Sequence, residues 1–341
     1  MGHSKEWLSY GAQLDRVIGR GLGVQDRERA LRYLERIGYY RLSGYWHVFR
    51  QQSAACCPIK AFGKGPPNEQ RHIRKLTLDT FKPGAQFERA IELYLFDKNL
   101  RLLALDALER IEVAVRVDIS HTLGELDPCA HHKPELLDKK HGKKVSTDGV
   151  THHRRWLTGH AKLVRRSKER FIKHYKETYG LPLPIWVAAE VWSFGTMSQF
   201  FKMMKQDHQD QIARKYGIAN GRTFASWLRS LNHLRNICAH HSRLWNRNID
   251  DQPRLPDDSS VPWVGLVTDT ARFKSRCFCL LRITRHLMDV INPTSSWADR
   301  VEKHLENDFP DLHAVGVGIE DMGAPSNWRE IWHKKPLSAN T

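Results

Sequence analysis

Leu231-Asn-His-Leu-Arg-Asn-Ile-Cys-Ala-His-His-Ser-Arg-Leu-Trp-Asn-Arg247 joins a helical apolar stripe to a dense polar set. Phe224, Trp227 or Leu228, Leu231, Leu234 and Cys238 recur every three or four residues, so one face of a helix is core. Beside that face stand Arg235, Asn236, His240 and His241, followed by Arg243 and Arg247. Successive helical residues turn by about 100°, so Asn236 and His240 share a face while Arg235 and His240 sit roughly 140° apart. Arg235 and His240 meet only if the long Arg side chain reaches round, the helix ends near His240, or a second protomer supplies the other half.

Upstream, Arg27 to Arg36 carries Leu31 and Leu34 with Ile37, a small apolar stripe that Gly38 stops. Tyr39, Tyr40, Arg41, Tyr45 and Trp46 follow within eight residues. Aromatics interleaved with Arg either stack bases or pack this subdomain. Residues 51–84 hold so many Pro and Gly breakers that they read as loop. From Phe87 to His121 comes the longest helical pattern, with a register shift near Asp97–Asn99 where it could split in two. Glu109, Glu112 and Arg116 form one polar strip on it, at i, i+3 and i+7. They are either ordinary surface or intrahelical pairs, or supports for the motif helix.

Asp127 to His160 reads as irregular and rich in His. Adjacent His pairs do not easily point at one ion and no Cys accompanies them, so no metal site and no cofactor are expected. A basic helix is predicted from Ala161 to Tyr175. Pro184 opens the next helix, and Ser193 offers an N-cap hydroxyl to the one after. Pro253 and Pro256 keep the motif helix from running far past Trp245. Ala271 to Ile291 is a final helix; beyond Pro293 the tail is mostly irregular, with Val301–Leu305 as one short helix. No alternating strand series and no repeat is visible, so the fold class is all-α. The divisions are a helical subdomain with loops over 1–85, a helical bundle over 86–295 with a basic insertion at about 127–176, and a tail over 296–341.

The bulk numbers narrow the possibilities. Hydrophobic content of 40% with 11 Trp and 13 Phe supports a globular core. No run approaches the ~18 apolar residues of a membrane span, and the start lacks a signal-peptide core, so a cytoplasmic protein is expected. Six cysteines without disulfide-framework or zinc spacing fit a reducing compartment. Formal charge is 54 − 38 = +16. Lys133 to Lys176 holds 14 Lys or Arg against four acids, a local balance of +10. That favours a polyanion, because each neutralised phosphate releases counterions. No basic amphipathic helix with an exposed aromatic face is evident, so nucleic acid is favoured over membrane. Lys143, Lys144, Arg154, Arg155, Arg165 and Arg166 are its candidate contacts, with Arg243 and Arg247 beside the motif. The alternative for this run is a solvated loop and helix.

Arg, four residues, then His is the signature of the HEPN ribonucleases, and the string from Arg235 to Arg247 resembles the Abi family of phage abortive-infection proteins, of the AbiD/AbiF type. Three further segments resemble that family: Ile37 to Trp46, Pro184-Ile-Trp186 through Glu190 to Ser193-Phe-Gly195, and Met322 to Trp328. The resemblance implies a HEPN-type bundle, a homodimer sharing one composite site, and cleavage leaving 2′,3′-cyclic phosphate ends. It also implies a growth-arresting toxin role, some relatives being restrained by a cognate non-coding RNA, and Glu109, Glu112 and Arg116 facing the motif helix. The residues suit that chemistry by themselves. RNA carries its own nucleophile, so its cleavage needs an acid or base near neutrality and a fixed cation, roles suited to His and Arg. No paired-carboxylate motif of the two-metal kind is visible. A non-catalytic protein that holds structured RNA is the competing reading; a DNA-binding protein lacks a helix-turn-helix pattern.

Overall fold

The computed structural model describes residues 6–53, 57–58, 73–74, 76–142, 145, 147–256 and 260–335, so Lys143 and Lys144 fall outside it. Helices dominate, and the all-α class holds. Strand pairing among the described residues amounts to two short antiparallel ladders, Arg50–Gln52 with Thr77–Phe81 and Cys57–Pro58 with Ile73–Arg74. The first corrects the reading of 51–84 as loop. Its Pro and Gly breakers fall in sequence between the two strands or, for Pro83 and Gly84, just past the second, Thr77-Leu-Asp-Thr-Phe81, which has β-branched and aromatic residues. No helix among the described residues is long and apolar enough to cross a membrane.

The chain divides into two compact units, residues 1–99 with 304–319, and residues 100–303 with 320–341. In the first, helices span Tyr10–Gly19, Arg27–Ile37 and Tyr39–Trp46. Asp26 caps the second by accepting from the Arg29 amide at 2.9 Å, and Gly38 ends it at φ 90, a conformation that strains any side chain. Leu14, Val17, Leu34, Leu42 and Phe49 are buried there with Tyr45 and Trp46.

The long helix runs unbroken from Phe87 to Gly124, its residues up to Asn99 belonging to the first unit. The apparent split near Asp97 has a physical cause. Asp97 is fully buried and accepts a 2.7 Å hydrogen bond from the Tyr45 hydroxyl, so a polar residue occupies a core position of an intact helix.

The second unit is built round the motif helix, Gly221–Ala239, whose Phe224, Trp227, Leu228, Leu231, Leu234 and Cys238 are all buried as the spacing predicts. Phe224 meets Phe201 of helix Phe194–Met203 edge-on at 5.2 Å. Trp227 meets His286 of helix Cys277–Ile291 at 5.3 Å. Gly221 approaches helix Gln206–Lys215 so closely that a Cβ there would lie 2.4 Å from Gln209 Cβ, and its amide donates to Asp210 Oδ1 at 2.6 Å. Only glycine lets the motif helix start at that distance.

Two other expectations need correcting. The basic helix begins at His152, capped by Thr151, rather than at Ala161, and ends at Arg166 before a second one, Arg170–Tyr179. The C-terminal stretch is less irregular than its Gly and Pro suggest. Helices span Trp297–Asn307 and Trp328–His333, because Trp297, Val301 and Leu305 recur at four-residue spacing and are buried. Trp328 and Trp332 are buried too.

Candidate active site on the motif helix

The motif helix ends at His240, one of the three arrangements its sequence left open. Helical backbone stops at Ala239, and His240 is the C-cap, its amide donating to Asn236 O at 3.0 Å. His241 follows at φ 55, the only positive φ outside glycine among the described residues. Its amide donates to Cys238 O at 3.1 Å and that of Ser242 to Ile237 O at 3.0 Å. These are the two bonds of a Schellman ending, whose left-handed position is ordinarily glycine. A non-glycine residue held in that region costs about 1 kcal/mol or more and clusters at functional positions. His240 and His241 are both exposed at this bend.

Arg235 is half-buried one turn earlier, its Nη1 3.5 Å from Asn236 Oδ1. It lies within electrostatic reach of Glu112 on the long helix. Burial pushes the Glu112 carboxyl up from its ordinary value, while Arg116 and then Arg235 pull it down. Arg116 pairs with Glu112 and also donates to the Trp192 carbonyl. Glu109 adds a like charge beside Glu112. Glu112 and Arg116 thus form an intrahelical pair, four residues apart, but not a surface one: their side chains are each only 15% exposed. One cation, Arg116, and one mostly buried carboxyl, Glu112, shape the field around Arg235.

Sequence reasoning missed two residues here. An ideal Cβ on Gly195 would lie 3.2 Å from Asn232 Oδ1, so glycine at 195 leaves room for Asn232. Asn232, Asn236 and His240, spaced by four, form one polar stripe along the motif helix. Trp192 supplies the carbonyl that anchors Arg116. The spacing of Asn232 was the available signal; a backbone carbonyl leaves none.

A family model described as Abi-like protein matches residues 32–246, more than half of the chain. The chain belongs to the Abi-like protein family. Membership ties this Abi-like protein to abortive infection, a defence against phage. No curated protein and no solved structure matches it at a significant level.

The other candidate residues of the Abi-like protein fare unequally. Tyr45 and Trp46 are 1% and 0% exposed, which corrects their assignment to base stacking: they are core. Tyr39 is half-buried against Trp46, at 5.4 Å edge-on, whereas Tyr40 is 79% exposed and Arg41 exposed. Arg154, Arg155, Arg165 and Arg166 are exposed along the basic helix, with Arg155 paired to Asp148. That helix borders a groove of about 660 Å³ lined by Arg155, Lys162, Arg166 and Lys202. Arg243 and Arg247 are half-buried just past the motif helix.

The His-rich segment departs from expectation. The 3-10 turn Ala130–His132 sets the His131 and His132 rings 4.4 Å apart, centroid to centroid, and His131 within 5.2 Å of His160. Adjacent histidines therefore bring one ring nitrogen each close to the other and to His160 here.

Proposed function

We propose that this Abi-like protein is a metal-independent endoribonuclease of the HEPN type, close to the AbiD/AbiF subtype, acting as a homodimer. The observation that carries the reading is the arrangement of the motif helix. Its Arg235 lies within electrostatic reach of the mostly buried Glu112–Arg116 pair, and its chain reverses through a left-handed His241 directly after His240.

The chemistry follows from those positions. His240 accepts the proton of the RNA 2′-OH, whose oxygen attacks the adjacent phosphorus. The P–O5′ bond breaks, leaving a 2′,3′-cyclic phosphate, and the 5′ oxygen departs with a proton from a second acid, a role that falls to His241 or to the same motif in a second protomer. Arg235 balances charge on the phosphoryl oxygens, and its planar fork suits two of them at once. Asn236, one turn before His240, orients the imidazole or the phosphate. The exposed cations of the basic helix hold the RNA backbone, where a regulatory non-coding RNA would also bind.

The test is incubation of RNA with the purified chain, with end groups resolved by sequencing. Cyclic-phosphate ends that persist in a chelator and vanish in folded Arg235→Ala and His240→Ala variants support the reading. Cuts unchanged in both variants refute it. The second reading, an RNA-holding protein without cleavage, is favoured by one observation, the cation-lined groove beside the basic helix. Salt-dependent retention of intact RNA, unaffected by Arg235→Ala, would select it.

A further inference from the structure

His131, His132 and His160 each bring one ring nitrogen to a common point, all within 4.8 Å of one another. The first two sit on the turn Ala130–His132 and the third on the basic helix, so the cluster joins segments almost thirty residues apart. His131 is fully buried, and neither of its ring nitrogens has a hydrogen-bond partner. A polar group buried without a partner costs about 1–3 kcal/mol, so such groups call for one. The turn that carries it is itself fastened: His153 Nε2 bonds to the His131 carbonyl at 2.8 Å.

We propose that His131, His132 and His160 form a three-histidine site for a divalent cation of the zinc class, with the fourth position open. Imidazole suits zinc, and three His with one open position is a known donor set for it. Zinc–nitrogen bonds of about 2.0–2.1 Å in a tetrahedron place the nitrogens roughly 3.3 Å apart, which small side-chain rotations reach from the present spacing. Burial holds His131 down to about 2 and His160 to about 4, and lowers His132, so each ring is in the neutral state that ligates. His132 is exposed, and a groove of about 900 Å³ lined by His132, His160, Arg165 and Lys176 provides the entry path. The cation would clamp the turn to the basic helix. It shares no residue with the Arg235–His240 site and takes no part in the cleavage proposed there.

One feature makes loading visible. The Trp192 indole N–H donates to His160 Nδ1 at 3.2 Å, so without a metal the ring proton sits on Nε2. A cation on Nε2 moves that proton to Nδ1, and the indole loses its acceptor. The experiment is titration of the chelator-treated full-length chain with Co²⁺, then Zn²⁺, following visible absorption and the Trp192 indole N–H resonance. The expected result is tetrahedral Co²⁺ bands saturating at one equivalent, displaced by Zn²⁺, with the Trp192 resonance shifting in step. His132→Ala, which alters only the exposed ligand, should leave the melting temperature of the metal-free chain unchanged and weaken binding at least tenfold. His160→Gln should do the same to binding. Absence of the bands at one equivalent, or equal affinity in His132→Ala, overturns the proposal. Both readouts are independent of RNA cleavage.

Discussion

The second unit holds two groups of histidines, and they differ in almost every physical respect. His240 and His241 stand exposed at a helix end, placed by the backbone bonds of a Schellman turn. His131 and His160 are buried among rings, with His160 stacked on Trp156 at 5.2 Å, and desolvation keeps both neutral. An exposed imidazole can change protonation state within a catalytic cycle, whereas a desolvated one is restricted to being a lone-pair donor. On the two proposals made above, burial, more than residue type, separates the proton carrier from the ligand.

That contrast breaks most sharply at the exposed pair. Arg235→Ala and His240→Ala should each lower RNA cleavage by about 10²–10⁴-fold, measured as initial rates on folded protein. Loss confined to His241→Ala would move the proton carrier by one residue. The next effect concerns stability. Glu112→Ala leaves Arg116 without its carboxylate partner in a mostly buried place and should cost about 2–4 kcal/mol in urea unfolding. Glu112→Gln, which keeps an acceptor, should cost less.

A third test uses a histidine that belongs to neither group. His286 is fully buried, packed against the Trp227 ring; its Nε2 donates to the Tyr216 carbonyl, and its Nδ1 accepts from Trp263 Nε1. Burial, aided by Arg282 on the same helix, holds it down to about 4 from 6.5, although the Tyr216 bond opposes this. The unfolded chain protonates His286 near 6.5 and the folded chain only near 4, so its contribution is complete above 6.5 and lost as pH falls between them. Unfolding free energy should drop by roughly 2–3 kcal/mol across that window, and His286→Gln should flatten the slope. The smallest effect is the most diagnostic. His241→Gly relieves the left-handed strain and should stabilise by about 0.5–1 kcal/mol while cleavage falls. Unchanged cleavage would make His241 a structural residue.

Much of this unit was legible in the sequence because local rules and packing agree. The apolar stripe of the motif helix, the Ser193 cap, which accepts from the Thr196 amide, and the Pro184 start all stand where spacing put them. The polar strip of Glu112 and Arg116 could be found by periodicity, but its burial could not. Three things were hidden for physical reasons. Asp97 occupies a core position where Tyr45, 52 residues away in sequence, donates a hydrogen bond to it. His131 and His132 converge through a 3-10 turn whose partner lies on another helix. The C-terminal helices are short and broken by Pro310 and Pro325, so their buried tryptophans, rather than any long pattern, define them.

Arg282 carries a consequence for genetics. It is fully buried over the Trp263 ring at 4.8 Å, and its guanidinium donates to the carbonyls of Ile331, at 2.8 Å, and of Lys334. Those carbonyls belong to the last dozen residues of the chain. A nonsense change just before Ile331 would strand a desolvated cation at the centre of the unit. Such an allele should therefore behave as a full loss of the gene rather than as a trimmed but working product.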